Sequence, residues 1–399
     1  MKVFILNCGG SSVKFQLVDM PGYRVLAKGS VERVGKEDAV FKFKARDRDE
    51  SVSVINIADH RQGIGIIIDT LLDSNNNIVK DIDDIDAIGH RVVHGGERCK
   101  ESVLIDDAVM ENIKACAQLA PLHNPASIAG IQSCSAVFGD IPQVAVFDNG
   151  LHQTLPDYIY LYALPYEYYE KYGIRKYGFH GIAFRSIVQG ITRLLGRRYE
   201  NMRIVSLMLG SGTTANAMKY GRSIEISTGF TPLEGLIQST RAGDIDPAAV
   251  LYLMKKEGFS PSKMEDILNK QSGWLGLSGI SNDMREIYNA AIQGDDRAKT
   301  AIEAVVHRIK KYIGAYCAVM GGMDVLAFSG GVGENAWYIR EMACRDMEYL
   351  GLELDEDGNR GLKGEGLIST PQSRVKIAVV NANEEQIIAQ DTYDIVSKM

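Results

Sequence analysis

Two short stretches of this chain follow one plan, and a chain built on that plan twice can adopt few folds. The first runs from Val3-Phe4-Ile5-Leu6 through Asn7-Cys8-Gly9-Gly10-Ser11-Ser12 into the alternating segment Val13–Leu17. The second runs from Ile204–Leu209 through Gly210-Ser211-Gly212-Thr213-Thr214 into Ala215–Met218, offset by 202 residues between Ser11 and Thr213. Each reads apolar strand, glycine-rich turn, paired hydroxyls, second strand. Glycine allows positive φ and lets backbone N–H groups crowd onto an anion, and Ser and Thr add hydroxyl donors. A duplicated α/β domain that holds a polyphosphate between its halves is the expectation.

The surrounding pattern agrees. Val3–Leu6, Val13–Val18 and Val25–Val34 predict a meander, followed by a helix over Gly63–Leu72 and a buried strand over Ile85–Gly89. Asp106–Leu119 predicts an amphipathic helix, and Val144–Phe147 another buried strand. The second half repeats the order, with strands at Ile204–Leu209, Thr214–Met218 and Ser223–Ser227 and helices at Pro247–Glu257 and Lys263–Asn269. A long helix over Ala298–Met320 leads to a strand at Val325–Phe328, a glycine turn, a helix from Ala336, a strand at Val375–Val379 and a final helix. No low-complexity linker intervenes, so two domains sharing a central cleft are expected, residues 1–149 with 385–399 and residues 150–384. Ligands of α/β sheets gather beyond the carboxyl ends of strands. Asn7, Arg91, Asp148, Ser211, Gly330-Gly331 and Asn383-Glu384 all occupy that position, which makes a site of them rather than six unrelated turns.

Charge narrows the partners. A net charge of −7 with no gathered basic run argues against nucleic acid as a partner. Six scattered cysteines without CxxC spacing point to a reducing compartment. No stretch has the length of a membrane span, and Val3–Leu6 is too short for a signal-peptide core, so a cytoplasmic location is expected. Arg91 and Arg241 are candidate phosphate clamps, because guanidinium offers a planar fork of donors. Taken singly, an arginine of this kind is more often a surface ion pair, and a lone histidine such as His180 beside glycine is more often a packing residue than a catalyst.

Over essentially its whole length the chain closely resembles the acetate kinase family, of the acetate and sugar kinase, heat-shock-70 and actin superfamily. The resemblance rests on Gly89-His90-Arg91-Val92-Val93-His94-Gly95-Gly96, Pro121-Leu122-His123-Asn124-Pro125, Arg175–Gly181, Gly229–Leu236, Thr240–Pro247, Lys270–Gly273, Ser281–Arg285 and Gly330–Asn335. It implies two duplicated ribonuclease-H-like domains of the actin-like ATPase type. It also implies reversible phosphoryl transfer between ATP and a short carboxylate, giving ADP and an acyl phosphate.

Residue by residue, the resemblance assigns Mg²⁺, with Mn²⁺ as an alternative, to Asn7 and Glu384, and nucleotide phosphates to Lys14. Arg91 would hold the carboxylate, and His180 and Arg241 the transferring phosphoryl group. Nucleotide contacts fall to Met208, Leu209, Gly210, Ser211 and Gly212, to Asp283, Met284 and Arg285, and to Gly331, Val332, Gly333, Glu334 and Asn335. Val93, Leu122, Phe179 and Pro232 would form an apolar pocket for a two- or three-carbon acid, and a homodimer is implied. The family assigns proton transfer to Asp148; carboxylates are already ionised at neutral pH, so orienting Arg91 or a metal-bound water is the duty expected of it.

The departures concentrate in the loops. Gly10-Ser11-Ser12 stands where three serines are usual, and Met208-Leu209-Gly210-Ser211-Gly212-Thr213-Thr214 stands for His-Leu-Gly-Asn-Gly-Ala-Ser. Ile182-Ala183-Phe184 replaces Thr-Ser-His, Asp148-Asn149-Gly150-Leu151-His152 replaces Asp-Thr-Ala-Phe-His, and Ser239 replaces glycine. Each donor lost to a charged group costs about 1.5–3 kcal/mol. Because Arg91, Asp148, His180, Arg241 and Glu384 all remain, a weakened or retuned kinase is expected rather than a dead one. Propionate or butyrate kinase activity, or a feeble nucleotide-binding paralogue with a regulatory role, are the alternatives.

Overall fold

The computed structural model describes residues 1–76, 78–121 and 123–399, so Leu122 lies outside the described residues. The chain divides into two compact units, Met1–Gln153 with Asn383–Met399, and Thr154–Ala382.

The first unit is built on eight strands: β1 (Lys2–Gly9), β2 (Ser12–Asp19), β3 (Arg24–Glu32), β4 (Lys36–Ala45), β5 (Ser51–Ile57), β6 (Ala87–Val92), β7 (Val103–Leu104) and β8 (Gln143–Phe147). They form one sheet in the order β5-β4-β3-β2-β1-β6-β8-β7. β1 pairs antiparallel with β2 and parallel with β6, which pairs parallel with β8. Val3, Phe4, Ile5 and Leu6 are all buried, as a central strand covered on both faces requires. One face packs Phe4, Leu6 and Phe15 against Ile64, Ile67 and Leu71 of the helix His60–Leu72 and Cys134 and Phe138 of the helix Asn124–Phe138. Each such side chain contributes about 1.5–3 kcal/mol when fully buried. Against the other face lies the helix Glu384–Val396. It approaches so closely that a Cβ at Gly89 would sit 2.4 Å from Thr392 Oγ1.

The second unit has six strands: β9 (Arg203–Leu209), β10 (Thr213–Lys219), β11 (Arg222–Ile226), β12 (Val325–Ser329), β13 (Gly366–Leu367) and β14 (Lys376–Val379). Their order is β11-β10-β9-β12-β14-β13. The run β3-β2-β1-β6-β8 of the first sheet and β11-β10-β9-β12-β14 of the second match in order and direction, each an antiparallel meander followed by two parallel strands. The duplication read from the hairpins is therefore a duplication of the sheet core. The turns differ by one residue: Gly9 faces Ser12 across the first, and Leu209 faces Thr213 across the second. Val205, Leu207 and Leu209 pack with Leu326, Phe328, Ile377 and Val379 against Val305, Ile309 and Ile313 of the long helix Asp296–Met320.

Three local expectations change. The predicted helix Asp106–Leu119 is α-helical only over Asp107–Ala115 and tightens to a 3-10 turn at Cys116–Gln118. The meander continues into β4 and β5, which the predicted strands did not include: β4 turns Ala39, Phe41, Phe43 and Ala45 into the core, and the edge strand β5 leaves Val52 and Val54 exposed. The glycine segment after β12 is itself helical over Gly330–Asn335, ahead of a helix at Trp337–Cys344. Its entry needs Gly330 at φ +77°, since a Cβ there would lie 2.7 Å from the Leu209 carbonyl oxygen.

Candidate active site

In the first unit the strand ends bring three charged side chains and an amide together. Arg91, near the end of β6, donates through Nη2 to Asp148 Oδ2 just past β8. Its Nη1 donates to Asn7 Oδ1 on β1 at 3.3 Å, and its Nε lies 3.6 Å from Glu384 Oε2 in the first turn of the helix Glu384–Val396. Lys14 is the cross-strand partner of Asn7 and is exposed. Val93 is buried one residue beyond β6.

The electrostatics of this group are lopsided, because one guanidinium faces two carboxylates. Burial disfavours charge on Arg91, but Asp148 and Glu384 more than offset this and hold its pKa above the ordinary range. Burial raises the Glu384 carboxyl above its usual range, Arg91 pulls it down, and the charge of Asp148 pushes it up again. Asp148 is 1% exposed, and among the described residues its Oδ1 has no hydrogen-bond partner. A buried carboxylate oxygen without a donor, beside a second carboxyl reluctant to ionise, is an oxygen-rich site short of positive charge. Oxygen donors of this kind fit a hard divalent cation completed by water and phosphate oxygens. Among the described residues no three His, Cys, Asp or Glu side chains converge as a protein-only metal cage.

In the second unit His180 precedes the helix Gly181–Leu195 in a left-handed conformation, φ +60°, which costs a non-glycine residue about 1–2 kcal/mol. Its Nδ1 is 2.9 Å from Thr214 Oγ1, which fixes the ring plane. The ring thereby faces Gly212, where a Cβ would come within 3.1 Å of His180 Cε1. The neighbouring Phe179 is buried and donates its N–H to Thr228 Oγ1 at 3.0 Å. Arg241 closes the tight turn Gln238–Arg241, its carbonyl accepting from the Gln238 N–H at 3.1 Å. Burial pushes its pKa below the ordinary value, and among the described residues no carboxylate pairs with it. Its hydrogen bond runs from Nη1 to the neutral amide oxygen of Gln238 at 3.2 Å. Pro232, half-buried, presents its carbonyl to the same amide.

A cavity of about 480 Å³ opens beside the second hairpin turn. Gly210, Ser211, Asp283, Met284, Arg285, Gly331, Val332 and Asn335 line it, together with Trp274 and Tyr338, which sequence reasoning did not single out. Tyr338 is stacked on Tyr288 at 3.6 Å between ring centroids, giving the cavity a rigid aromatic wall. Asp283 caps the helix Met284–Ile292 by accepting from the Arg285 N–H, and the Arg285 side chain holds the Asp283 carboxyl below its usual range.

The second unit's other predicted nucleotide residues are not on this lining. Leu209 is in the hydrophobic core. Gly333 faces Phe328 and Leu209, and Glu334 accepts from the Gly330 N–H at 2.9 Å. Met208 and Gly212 are half-buried on the hairpin.

Two further residues organise this wall. Arg340, 1% exposed, donates to the carbonyls of Gly333 and Glu334 and to Asn359, and burial lowers its pKa to about 10. It closes the carbonyl end of the Gly330–Asn335 helix, which has too few residues to be stable alone. Ser239 donates its hydroxyl to the Ser211 carbonyl at 2.9 Å, and its Oγ lies 3.0 Å from Ser211 Oγ. Two positions that depart from the family pattern are thus bonded to each other. Burial is the signal that identifies Arg340, and a sequence does not display it.

A description of the acetokinase family matches residues 2–390. Acetate kinase of Thermotoga maritima is 48% identical over 402 residues, spanning all of both chains. The crystal structure of acetate kinase from Porphyromonas gingivalis superposes with a TM-score of 0.94 at 43% identity, covering 99% of each chain. That of a propionate kinase from Francisella tularensis superposes at 0.92 with 39% identity and the same coverage.

Proposed function

This chain belongs to the acetokinase family, and from that premise we propose that it transfers a phosphoryl group reversibly between ATP and acetate, giving acetyl phosphate and ADP. The observation that carries the chemical reading is Arg241, a largely buried guanidinium held by a neutral amide beside the second hairpin turn. A buried cation without a counter-charge is costly unless an anion arrives, and a transferring phosphoryl group is such an anion.

Phosphoryl transfer asks mainly for positioning and charge stabilisation. In this reading Arg241 and His180 stabilise the equatorial oxygens, and the Thr214 hydroxyl keeps the imidazole aimed. Arg91 binds the carboxylate of the acid, and Asp148 fixes Arg91 through its hydrogen bond. Lys14 and the turn Met208–Gly212 receive the nucleotide phosphates. The cavity lined by Asp283–Arg285 and by Gly331, Val332 and Asn335 receives the adenosine. Val93, Phe179 and Pro232, with Leu122, select a short apolar tail. Asn7, Asp148 and Glu384 would hold Mg²⁺ or Mn²⁺. Such a metal, when bound, would supply positive charge against the phosphates.

The same reading makes the protein a cytoplasmic homodimer. Leu251, Tyr252 and Leu253 on the exposed helix Pro247–Glu257 offer apolar surface to a second copy. Sedimentation at micromolar concentration should give twice the chain mass.

Propionate is the second acid to test, because the Francisella tularensis relative is described as a propionate kinase. Hydroxamate trapping of acyl phosphate across acetate, propionate and butyrate, with ATP or pyrophosphate as donor, decides the matter. Acetate with ATP should give the highest kcat/KM. No product from any pair, in protein that binds ATP, sinks the reading.

A further inference from the structure

Gln238 is almost completely buried, and both ends of its amide are used. Its Nε2 donates to the Pro232 carbonyl at 2.5 Å. Its Oε1 accepts from Arg241 Nη1 at 3.2 Å and from the Thr213 N–H, just past the second hairpin turn, at 3.4 Å. The orientation of the amide is forced, since the reverse would place two donors against a guanidinium and an acceptor against a carbonyl. The backbone repeats the grip: the Gln238 N–H donates to the Arg241 carbonyl at 3.1 Å, and the Trp274 N–H donates to the Gln238 carbonyl at 3.0 Å. No slack remains around it, because a Cβ at Gly273 would lie 2.1 Å from the Gln238 carbonyl oxygen.

We propose that Gln238 is a positioning residue for phosphoryl transfer, which aims the Arg241 guanidinium and ties it to the hairpin turn and the Pro232 segment while leaving its positive charge undiminished. The inference rests on the phosphotransferase reading above and assigns a duty to a residue outside the family motifs. The physical point is the choice of an amide. A carboxylate at this position would hold the guanidinium equally well, but it would cancel the field offered to the transition state. An apolar side chain of the same length would fill the space and release the arginine to other rotamers. An amide alone supplies direction without neutralisation.

Two variants of nearly unchanged volume separate this duty from plain packing. Gln238→Glu and Gln238→Met are purified beside the wild type and compared in acyl phosphate formation, melting temperature and calorimetric binding of pyrophosphate. Gln238→Glu should lower kcat by on the order of 100-fold. Gln238→Met should lower it by about 10-fold, with KM for acetate changed less than about threefold in both. Pyrophosphate affinity should fall roughly 10-fold in Gln238→Glu and much less in Gln238→Met, because only the former adds an opposing charge. A Gln238→Glu enzyme with near-normal kcat, or a loss no larger than that of Gln238→Met, overturns the proposal. So does equal pyrophosphate binding in all three proteins. A wild type that makes no acyl phosphate refutes the phosphotransferase reading instead, and the calorimetry still decides the role of Gln238.

Discussion

Replacing Ser239 by alanine should weaken the fold and strengthen nucleotide binding at once. The Ser239 hydroxyl has one proton, and it goes to the Ser211 carbonyl at 2.9 Å. The 3.0 Å contact between the two hydroxyl oxygens must then be a bond donated by Ser211 to Ser239. Ser211, although it lines the cavity beside the turn, therefore has its proton committed away from any anion there. Ser239→Ala removes two hydrogen bonds of about 0.5–1.5 kcal/mol each, so stability should fall by about 1–3 kcal/mol. The Ser211 carbonyl keeps its bond from the Ser239 N–H at 3.2 Å, which favours the lower half of that range.

The freed Ser211 hydroxyl can donate to phosphate. A bond to a charged acceptor contributes about 1.5–3 kcal/mol, whereas the wild type must first break the serine pair. The difference is about 1 kcal/mol, or roughly fivefold tighter ADP and ATP. Calorimetry with both nucleotides and a thermal melt on the same preparation measure the two signs together. A lower melting temperature with unchanged or weaker nucleotide binding would show that the Ser211 hydroxyl does not face the phosphates. By the same logic Ser211→Asn should raise activity more when combined with Ser239→Gly than alone.

Arg241→Ala should lower kcat by on the order of 10³-fold with the fold intact, and near-normal turnover would contradict its assigned role. Gly273→Ala should lower stability by about 2–4 kcal/mol and also impair turnover, since φ is +65° and the added methyl meets backbone of the Gln238–Arg241 turn; urea titration and kcat test this together, and loss of stability with full activity would show the turn has room to yield. His90 makes stability fall in acid: burial brings its pKa from the ordinary 6.5 down to about 4, with Nε2 held by Gln143 at 2.7 Å. The unfolded chain takes up this proton first, so the contribution is complete above pH 6.5 and is lost as pH falls towards 4, up to about 3 kcal/mol. Glu384, raised by burial, works in the opposite sense. The difference between wild type and His90→Gln in urea midpoints at pH 7, 5.5 and 4.5 therefore isolates the histidine, and parallel curves would refute the assignment.

What the sequence disclosed depended on whether a residue's role lies in local pattern or in remote contact. The hairpins were legible because Val3–Leu6 and Ile204–Leu209 are strongly apolar runs that lead into glycine-rich turns, and the strand-end rule then located Asn7, Arg91, Asp148 and Glu384. β4 carries a legible alternation at Ala39, Phe41, Phe43 and Ala45 behind the charged run Lys36-Glu37-Asp38, whereas the edge strand β5 exposes Val52 and Val54, so its apolar residues mark no single core face. The helix Gly330–Asn335 contradicts glycine's intrinsic preference and exists because Arg340 satisfies its carbonyls from beyond its own end. Gln238, Ser239 and Arg340 went unassigned for one reason: each acts through a buried bond to a partner whose proximity only the fold creates.

The two sets of strand-end residues, each taken within its own unit, are unbalanced in opposite directions. In the first unit Arg91 faces two carboxyl groups, Asp148 and Glu384, and among the described residues one Asp148 oxygen has no hydrogen-bond partner. In the second unit Arg241 is held by an amide and keeps its whole positive charge. A self-sufficient fold would pair both, because leaving buried charge uncompensated costs several kcal/mol. On the proposed reading, a nucleotide's phosphoryl oxygens are the anion that Arg241 lacks. The altered hydroxyls at Ser211 and Ser239 adjust how the turn meets those oxygens, and neither changes this balance of charge. Substitutions in the turn should therefore move nucleotide affinity by small factors, whereas substitutions that alter the balance, such as Gln238→Glu, should act on kcat.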